Sequence, residues 1–384
     1  MGRVNAEAVP TSSRSDRWAR TRRKWAAEPS ERELLILVAV TCVSFVSTMA
    51  LFHSFFAKVE GSGDNPAYLG IALAIRHWNF QGLSVKAFWG LPYVMAGISV
   101  LTGISDRAAL LLISYCACFA SIVLAFRLWD GWIAGFFAIL NFDWMQRSFL
   151  GGSESLSVAL LLGAFFAARR KHWILAALLA SFSTTVRPLG MLALVGLGLA
   201  LLWKRDFRNF SLATLTGLVV GGLYVLPLAL YFKNPLANAQ AYQRADWEGG
   251  RFLSWPFYAI IKGTDLYAVP WTNLILTYGW IFLVLAGFLK LILTKNCRQY
   301  WRTRPTEMMF AVSYLAWLFT YNSPYWVRGS FPRYAIPVLP FVFLALKEWL
   351  PRDRRVLWGI AIVSPVLAAF SAIGIRNVLE ILRS

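Results

Sequence analysis

The sequence predicts an all-α, polytopic membrane protein of about eleven transmembrane helices, and three observations predict it. Of 384 residues, 58% are hydrophobic and only 15% charged, with a mean hydropathy of +0.54. An ordinary soluble domain is roughly half apolar and about a quarter charged, so a soluble enzyme of this size is excluded. Apolar runs long enough to be helices in a bilayer recur along the chain, separated by short polar segments. The net charge of +19 is carried by short basic clusters between those runs, which is a positive-inside pattern and not a nucleic-acid footprint. The 18 Trp fit many helix ends at headgroup depth.

Residues 1–33 hold eight Lys/Arg and five Asp/Glu without a cleavable apolar core, and read as a basic cytoplasmic tail. Residues 34–54 form the first span, which places residue 55 outside. The next apolar run, 87–104, decides the parity of all that follow. If it crosses, Arg169-Arg170-Lys171, Lys204-Arg205 and the Arg352–Arg355 cluster all fall outside; if it stays in the outer leaflet, all three fall inside. The second arrangement obeys the positive-inside rule and gathers most Lys/Arg on the cytoplasmic side. Trp89, Pro92 and Tyr93 suit such a juxtamembrane helix. The remaining spans are then expected at 108–126, 131–146, 155–168, 173–186, 189–203, 209–232, 268–292, 306–321, 334–347 and 356–375. Two long outer loops result, 55–107 and 233–267. The chain divides into the tail, a transmembrane catalytic domain over 34–350, and a C-terminal basic loop with the last helix over 351–384.

The four cysteines show no disulfide framework, since Cys42, Cys116 and Cys118 lie in apolar runs and Cys297 in a basic loop. No GxGxxG or Walker-type loop appears in the cytoplasmic connections. Ionisable residues are nearly absent from the apolar interior, where they would mark an ion pathway. They gather at the outer ends instead: Asp64, Lys86, Asp106, Asp143, Arg147, Glu154, Arg187, Arg328 and Arg333. That distribution favours an interfacial enzyme over an ion-coupled transporter. In Glu60-Gly61-Ser62-Gly63-Asp64-Asn65-Pro66-Ala67-Tyr68, Asn65 and Pro66 open a helix with Asp64 at its N-cap; Asp64 is either that cap alone or a general base. Asp143 stands four residues before Arg147 and can pair with it. Glu154 opens a span, where the helix dipole favours an acid, and it either caps that helix or binds acceptor. Asp246, Glu248 and Asp265, with the aromatics of loop 233–267, make either an acceptor-recognising lid or an amphipathic surface segment.

The acidic motif around Asp64, its Tyr68-containing helix and the Pro92-Tyr93 helix resemble the GT-C superfamily of integral-membrane glycosyltransferases, in the bacterial branch related to protein mannosyltransferases and lipid A aminoarabinose transferases. Arg147-Ser148-Phe149-Leu150-Gly151-Gly152-Ser153-Glu154-Ser155 is similar to the second outer loop of that family. Thr185-Val186-Arg187-Pro188-Leu189-Gly190 and Arg333-Tyr334-Ala335-Ile336-Pro337-Val338-Leu339-Pro340 are similar to its recurrent patterns, so the resemblance covers roughly 34–350.

The resemblance implies an inverting transfer of sugar from a polyprenyl-phosphate donor to a glycolipid, polysaccharide or protein hydroxyl on the periplasmic face of a bacterial inner membrane. Asp64 would be the catalytic base. Lys86, Arg147, Arg187, Arg328 and Arg333 would bind the donor phosphate, and Tyr68, Tyr93, Glu154 and Tyr334 the substrates. No cofactor is expected. Many members carry a second acid where this chain has Asn65, which leaves divalent metal use open. Partners are the lipid-linked donor, the acceptor and membrane lipids, with no nucleic acid. A lipid-linked-sugar flippase or an outer-face glycan ligase are the alternatives.

Overall fold

The structure, a computed structural model, describes residues 30–61, 63–80, 87–246, 251–266, 271–323 and 330–374. The described residues are helical apart from loops and one isolated antiparallel bridge, Leu253 to Tyr321. In chain order the helices are α1 (Glu31–Leu51), α2 (Phe55–Gly61), α3 (Asn65–His77), α4 (Gly90–Thr102), α5 (Asp106–Leu128), α6 (Gly131–Leu140), α7 (Phe142–Phe149), α8 (Ser153–Arg169) and α9 (Trp173–Val186). They continue with α10 (Met191–Trp203), α11 (Phe207–Phe232), α12 (Ala237–Asp246), α13 (Tyr258–Leu266), α14 (Trp271–Leu293), α15 (Lys295–Thr303), α16 (Pro305–Thr320), α17 (Phe331–Ala335), α18 (Leu339–Ala345) and α19 (Arg354–Ile373). The run expected at 173–186 is α9 to the residue, because Pro188 forbids continuation and Arg187 before it takes an extended conformation.

Local chemistry sets the starts. Ser30, Ser105, Asp130, Asn141, Asp206 and Asp353 each accept a backbone N–H in the first turn of the helix they open. Asn141 also corrects the expected span 131–146. It ends α6 and caps α7, accepting from Trp144 N at 2.8 Å and donating to Pro332 O at 3.1 Å, so one apolar run becomes two helices. Residues around Cys297, expected as a loop, are helical in α15, and the outer segments 55–107 and 233–267 carry α2, α3, α12 and α13.

Four helices, α1, α5, α11 and α19, are long and apolar enough to cross a bilayer. Two bent pairs, α7 with α8 at 101° and the segments 277–293 and 297–303 at 71°, raise that to six. This is fewer than the eleven expected, because several apolar runs form helices of only 10–17 residues. Outward faces are apolar, as at Val43, Phe119, Leu218 and Phe282, each more than 60% exposed; such a surface needs lipid around it.

The bundle has two polar ends. At one, Glu33 accepts from Arg354 and Trp358, Lys347 pairs with Asp130, and Arg169 holds Glu307 while Tyr300 accepts from Trp129. At the other lie Asp64, Arg147, Glu154, Arg187 and Arg333.

Candidate active site

Asp64 stands at the N-cap position of α3, as the sequence predicts, yet its carboxylate makes no capping bond. It accepts instead from Arg333 Nη2 at 2.6 Å, and about half of its side chain remains exposed. Burial pushes the carboxyl pKa up, but the Arg333 charge and hydrogen bond outweigh that and hold it below its ordinary value of 3.8. Asn65 and Pro66 carry the helix start, and Asn65 does more than open a helix. Fully buried, it donates Nδ2 to Val59 O at 2.8 Å and Leu150 O at 3.0 Å, binding the acidic loop to the α7–α8 elbow.

That elbow is built by Leu150-Gly151-Gly152. Gly151 has φ +91, and a Cβ there would meet Leu110 Cδ2 at 2.9 Å. A Cβ on Gly152 would meet Glu154 Oε2 at 2.8 Å and Arg147 Cδ at 3.1 Å. The two glycines therefore allow α7 to turn sharply and bring Arg147, in its last turn, beside Glu154, in the first turn of α8. The Arg147 guanidinium also rests on Gly63, where φ is +55 and a Cβ would lie 2.8 Å from Arg147 Cζ. Arg147 is within electrostatic reach of Glu154, Asp143 and Asp64.

Glu154 is 2% exposed, and its Oε1 accepts from both Arg187 Nη1, at 2.6 Å, and Arg333 Nε. A buried carboxylate is tolerated only when so paired. Arg187 projects from the extended residue between α9 and α10, where Gly190 lets backbone meet backbone: a Cβ there would lie 2.6 Å from Ser183 C and Thr184 N. Its guanidinium also bonds Ser153 Oγ at 3.2 Å and lies 5.7 Å from the Tyr334 ring centroid. Arg333, on α17, joins Asp64 to Glu154 across the cleft between the acidic loop and α8.

The structure thus brings together Asp64, Arg147, Glu154, Arg187, Arg333 and Tyr334. Tyr68 reaches the same place, but it is buried and donates its hydroxyl to Ser153 Oγ at 2.9 Å, which makes it a brace of the first turn of α8. Tyr93 sits in a separate aromatic group with Trp89 and Tyr224, at ring-centroid distances of 6.1 and 6.3 Å. Lys86 and Arg328 lie outside the described residues, as does Glu248. The sequence reading passed over Ser153, which links Tyr68 to Arg187, and Asn238, which accepts from Tyr224 at 2.9 Å and donates to Ala87 O. Ser153 carried a signal, a hydroxyl directly after the elbow glycines; Asn238 carried none.

Chemically, the cluster offers one accessible carboxylate beside three guanidinium groups that face a buried counter-charge. Such an arrangement accepts a proton at Asp64 Oδ and an anion at the arginines. Among the described residues no three His, Cys, Asp or Glu side chains converge as a metal-holding group.

No protein-family model matches the chain, and no curated protein matches it. Among solved structures, it is similar to ArnT from Cupriavidus metallidurans bound to undecaprenyl phosphate, with 16% identity, a TM-score of 0.49, and coverage of 86% of this chain and 62% of ArnT. The apo state of the same ArnT gives 18% identity and a TM-score of 0.47, covering 82% of this chain and 61% of ArnT. The apo Archaeoglobus fulgidus oligosaccharyltransferase gives 14% identity and a TM-score of 0.47, covering 88% and 56%. The chain therefore spans about 60% of the length of these proteins.

Proposed function

We propose that the chain is an inverting glycosyltransferase that moves a sugar from a polyprenyl-phosphate carrier to a hydroxyl acceptor at the outer face of a bacterial inner membrane. The observation that carries the reading is the sharing of Arg333 between Asp64, half exposed, and Glu154, buried. A base and an anion-binding cluster thereby meet within one side chain's reach. Asp64 takes the proton of the acceptor hydroxyl, the acceptor oxygen attacks the anomeric carbon, and the bond to the carrier phosphate breaks with both its electrons leaving on the phosphate. Arg187, Arg333 and Arg147 receive that charge at headgroup depth, with Lys86 and Arg328 assigned the same role from sequence. Tyr334, beneath Arg187, is assigned to sugar contact; Tyr93 keeps that assignment from sequence alone, since it packs with Trp89 and Tyr224 away from the cluster.

Inversion follows from the unequal state of the two acids. A retaining route needs a second carboxylate as nucleophile, and Glu154 is buried with Oε1 held by two arginines. Its role here is to position the arginines. The acceptor, whether glycolipid, polysaccharide or protein, belongs to the same proposal.

The test is mass spectrometry of glycolipids and surface glycans from cells lacking the protein, complemented by wild type or Asp64→Asn. Loss of one sugar unit, restored by wild type but not by an equally abundant Asp64→Asn protein, is the expected result and names the donor sugar and acceptor. Restoration by both proteins would remove Asp64 from the chemistry and move the reading to a flippase or ligase.

A further inference from the structure

An open groove lies between α10 and α11. It has a volume of about 420 Å³ and is lined by Leu194, Val195, Leu199, Leu202, Phe210 and Leu218 together with small residues. The small residues create it. Gly198 lets the Phe210 ring approach to 3.4 Å of where a Cβ would be, and Gly217 lets Leu194 approach to 2.9 Å, so the helices touch at these points and part between them. Its walls are apolar and partly exposed: Val195 is 45% exposed, Leu199 46% and Leu218 68%. α11 is the least covered of the long helices, with 6% of its apolar window buried inside the molecule.

One end of the groove is charged. Leu202 and Phe210 flank the α10–α11 turn, which presents Lys204, Arg205 and Arg208 to solvent. The acid within that turn, Asp206, is engaged in capping α11 through Asn209 N and Nδ2. Lys204 Nζ stands 5.9 Å from the Trp173 ring, tying the turn to the basic end of the bundle near Arg169. Trp203 and Phe207, 65% and 62% exposed, border it as aromatic residues do at headgroup depth. The other end of α10 begins at Met191, one short turn (Pro188–Gly190) after Arg187. The charged mouth therefore lies about 18 Å of helix from the arginine cluster, at the opposite end of the molecule.

We propose that this groove binds one anionic phospholipid of the inner leaflet, with an acyl chain between α10 and α11 and the headgroup on Lys204, Arg205 and Arg208. Charge complementarity selects that occupant. A basic pocket between helices on the cytoplasmic side recognises anionic headgroups, and an apolar slot running from it toward the bilayer centre takes the attached chain. The arginine cluster to which the proposed function assigns a carrier phosphate, Arg187 and Arg333, lies at the other end. The inference does not rest on the transferase reading.

Native mass spectrometry of the purified full chain tests it, with dioleoylphosphatidylglycerol and dioleoylphosphatidylcholine offered in equal amounts and undecaprenyl phosphate in a further arm. Wild type should retain phosphatidylglycerol over phosphatidylcholine by on the order of a hundred-fold, about five-fold for each of the three cations. Lys204→Gln with Arg208→Gln should lower that preference by about five-fold per cation, and Thr214→Trp, at an exposed groove position, should abolish retention. Leu199→Trp serves as a second filled groove if Thr214→Trp is not monodisperse. Equal retention of the two lipids, an unchanged preference in the double variant, undiminished retention with the groove filled, or one-for-one displacement of phosphatidylglycerol by undecaprenyl phosphate would each overturn the proposal. No arm reads sugar transfer, so these outcomes stand apart from any failure of that activity.

Discussion

Arg333 decides the character of both acids. It neutralises Glu154 in a buried setting and, with the same guanidinium, keeps Asp64 ionised at the rim. A carboxylate whose pKa is depressed in the folded state contributes stability that is present above the unfolded value near 3.8 and lost as pH falls through the folded one. Between pH 5 and 8 Asp64 therefore stays charged, and kcat/KM for sugar transfer should be flat on its acid side down to about pH 5. A pH–rate series in nanodiscs checks this, and an acid limb near pH 6.5 would assign the base elsewhere. Glu154→Gln leaves Arg187, mostly buried, without its carboxylate partner and Arg333 with Asp64 alone, so it should lower stability by about 3–5 kcal/mol, read as an earlier loss of the monodisperse peak on heating. Gly63→Ala places a Cβ against the Arg147 guanidinium at a backbone φ of +55. It should cut activity more than ten-fold with little change in expression, and retained activity would detach Arg147 from the site.

At the scale of the element, the α9–α10 connection shows how a short motif positions one functional group. Pro188 stops α9, Arg187 before it is extended, and Gly190 permits the chain to pass over Ser183 and Thr184. Gly190→Ala should destabilise by about 1–3 kcal/mol, whereas Gly97→Ala in α4, with no atom within 4 Å of the new Cβ, should be neutral or stabilising by up to about 1 kcal/mol. Thermal unfolding of the two variants side by side checks the pair. This elbow was legible in the sequence because Pro and Gly act locally, and so were the long apolar helices and the helix that opens at Asn65. Two kinds of feature were not. The break at Asn141 depends on an acceptor at Pro332, 191 residues away, so hydropathy runs straight through it. Amphipathic helices such as α2 and α15 lack a long apolar run and read as loops. Within the site, Glu154 and Asp64 each left a cap-or-function ambiguity. The partner that bears on both is Arg333, 269 residues from Asp64 and 179 from Glu154, which no local pattern could supply.

For the whole molecule, the question is how many helices cross. Length and composition license four to six spans, but the pairing of polar ends says more. Glu33 with Arg354, Asp130 with Lys347, and Arg169 with Glu307 join the start of α1, the start of α6, the ends of α8 and α18, and the starts of α16 and α19 at one end. Asp64, Glu154, Arg187 and Arg333 join the start of α3, the start of α8, the end of α9 and α17 at the other. Chain direction then alternates between the two ends for α1, α5, α6 with α7, α8, α9, α10, α11, α14, α16, α17 with α18, and α19. Among the described residues, α4 is an apolar helix left without a crossing of its own in this arrangement, as the positive-inside reading expects of the run 87–104. Eleven passes are the arrangement we propose for this alternation, with the short helix α6 accepted because most of its residues are buried in protein. In a cysteine-free background, Gly61→Cys and Trp255→Cys, both exposed and in the two segments the sequence places outside, should react with a membrane-impermeant maleimide in intact cells. Trp349→Cys, 67% exposed between α18 and α19, should react only after permeabilisation. Labelling of all three in intact cells would place both ends of the bundle on one side and end the eleven-pass arrangement, and with it the separation of the proposed sugar-transfer site from the inner leaflet.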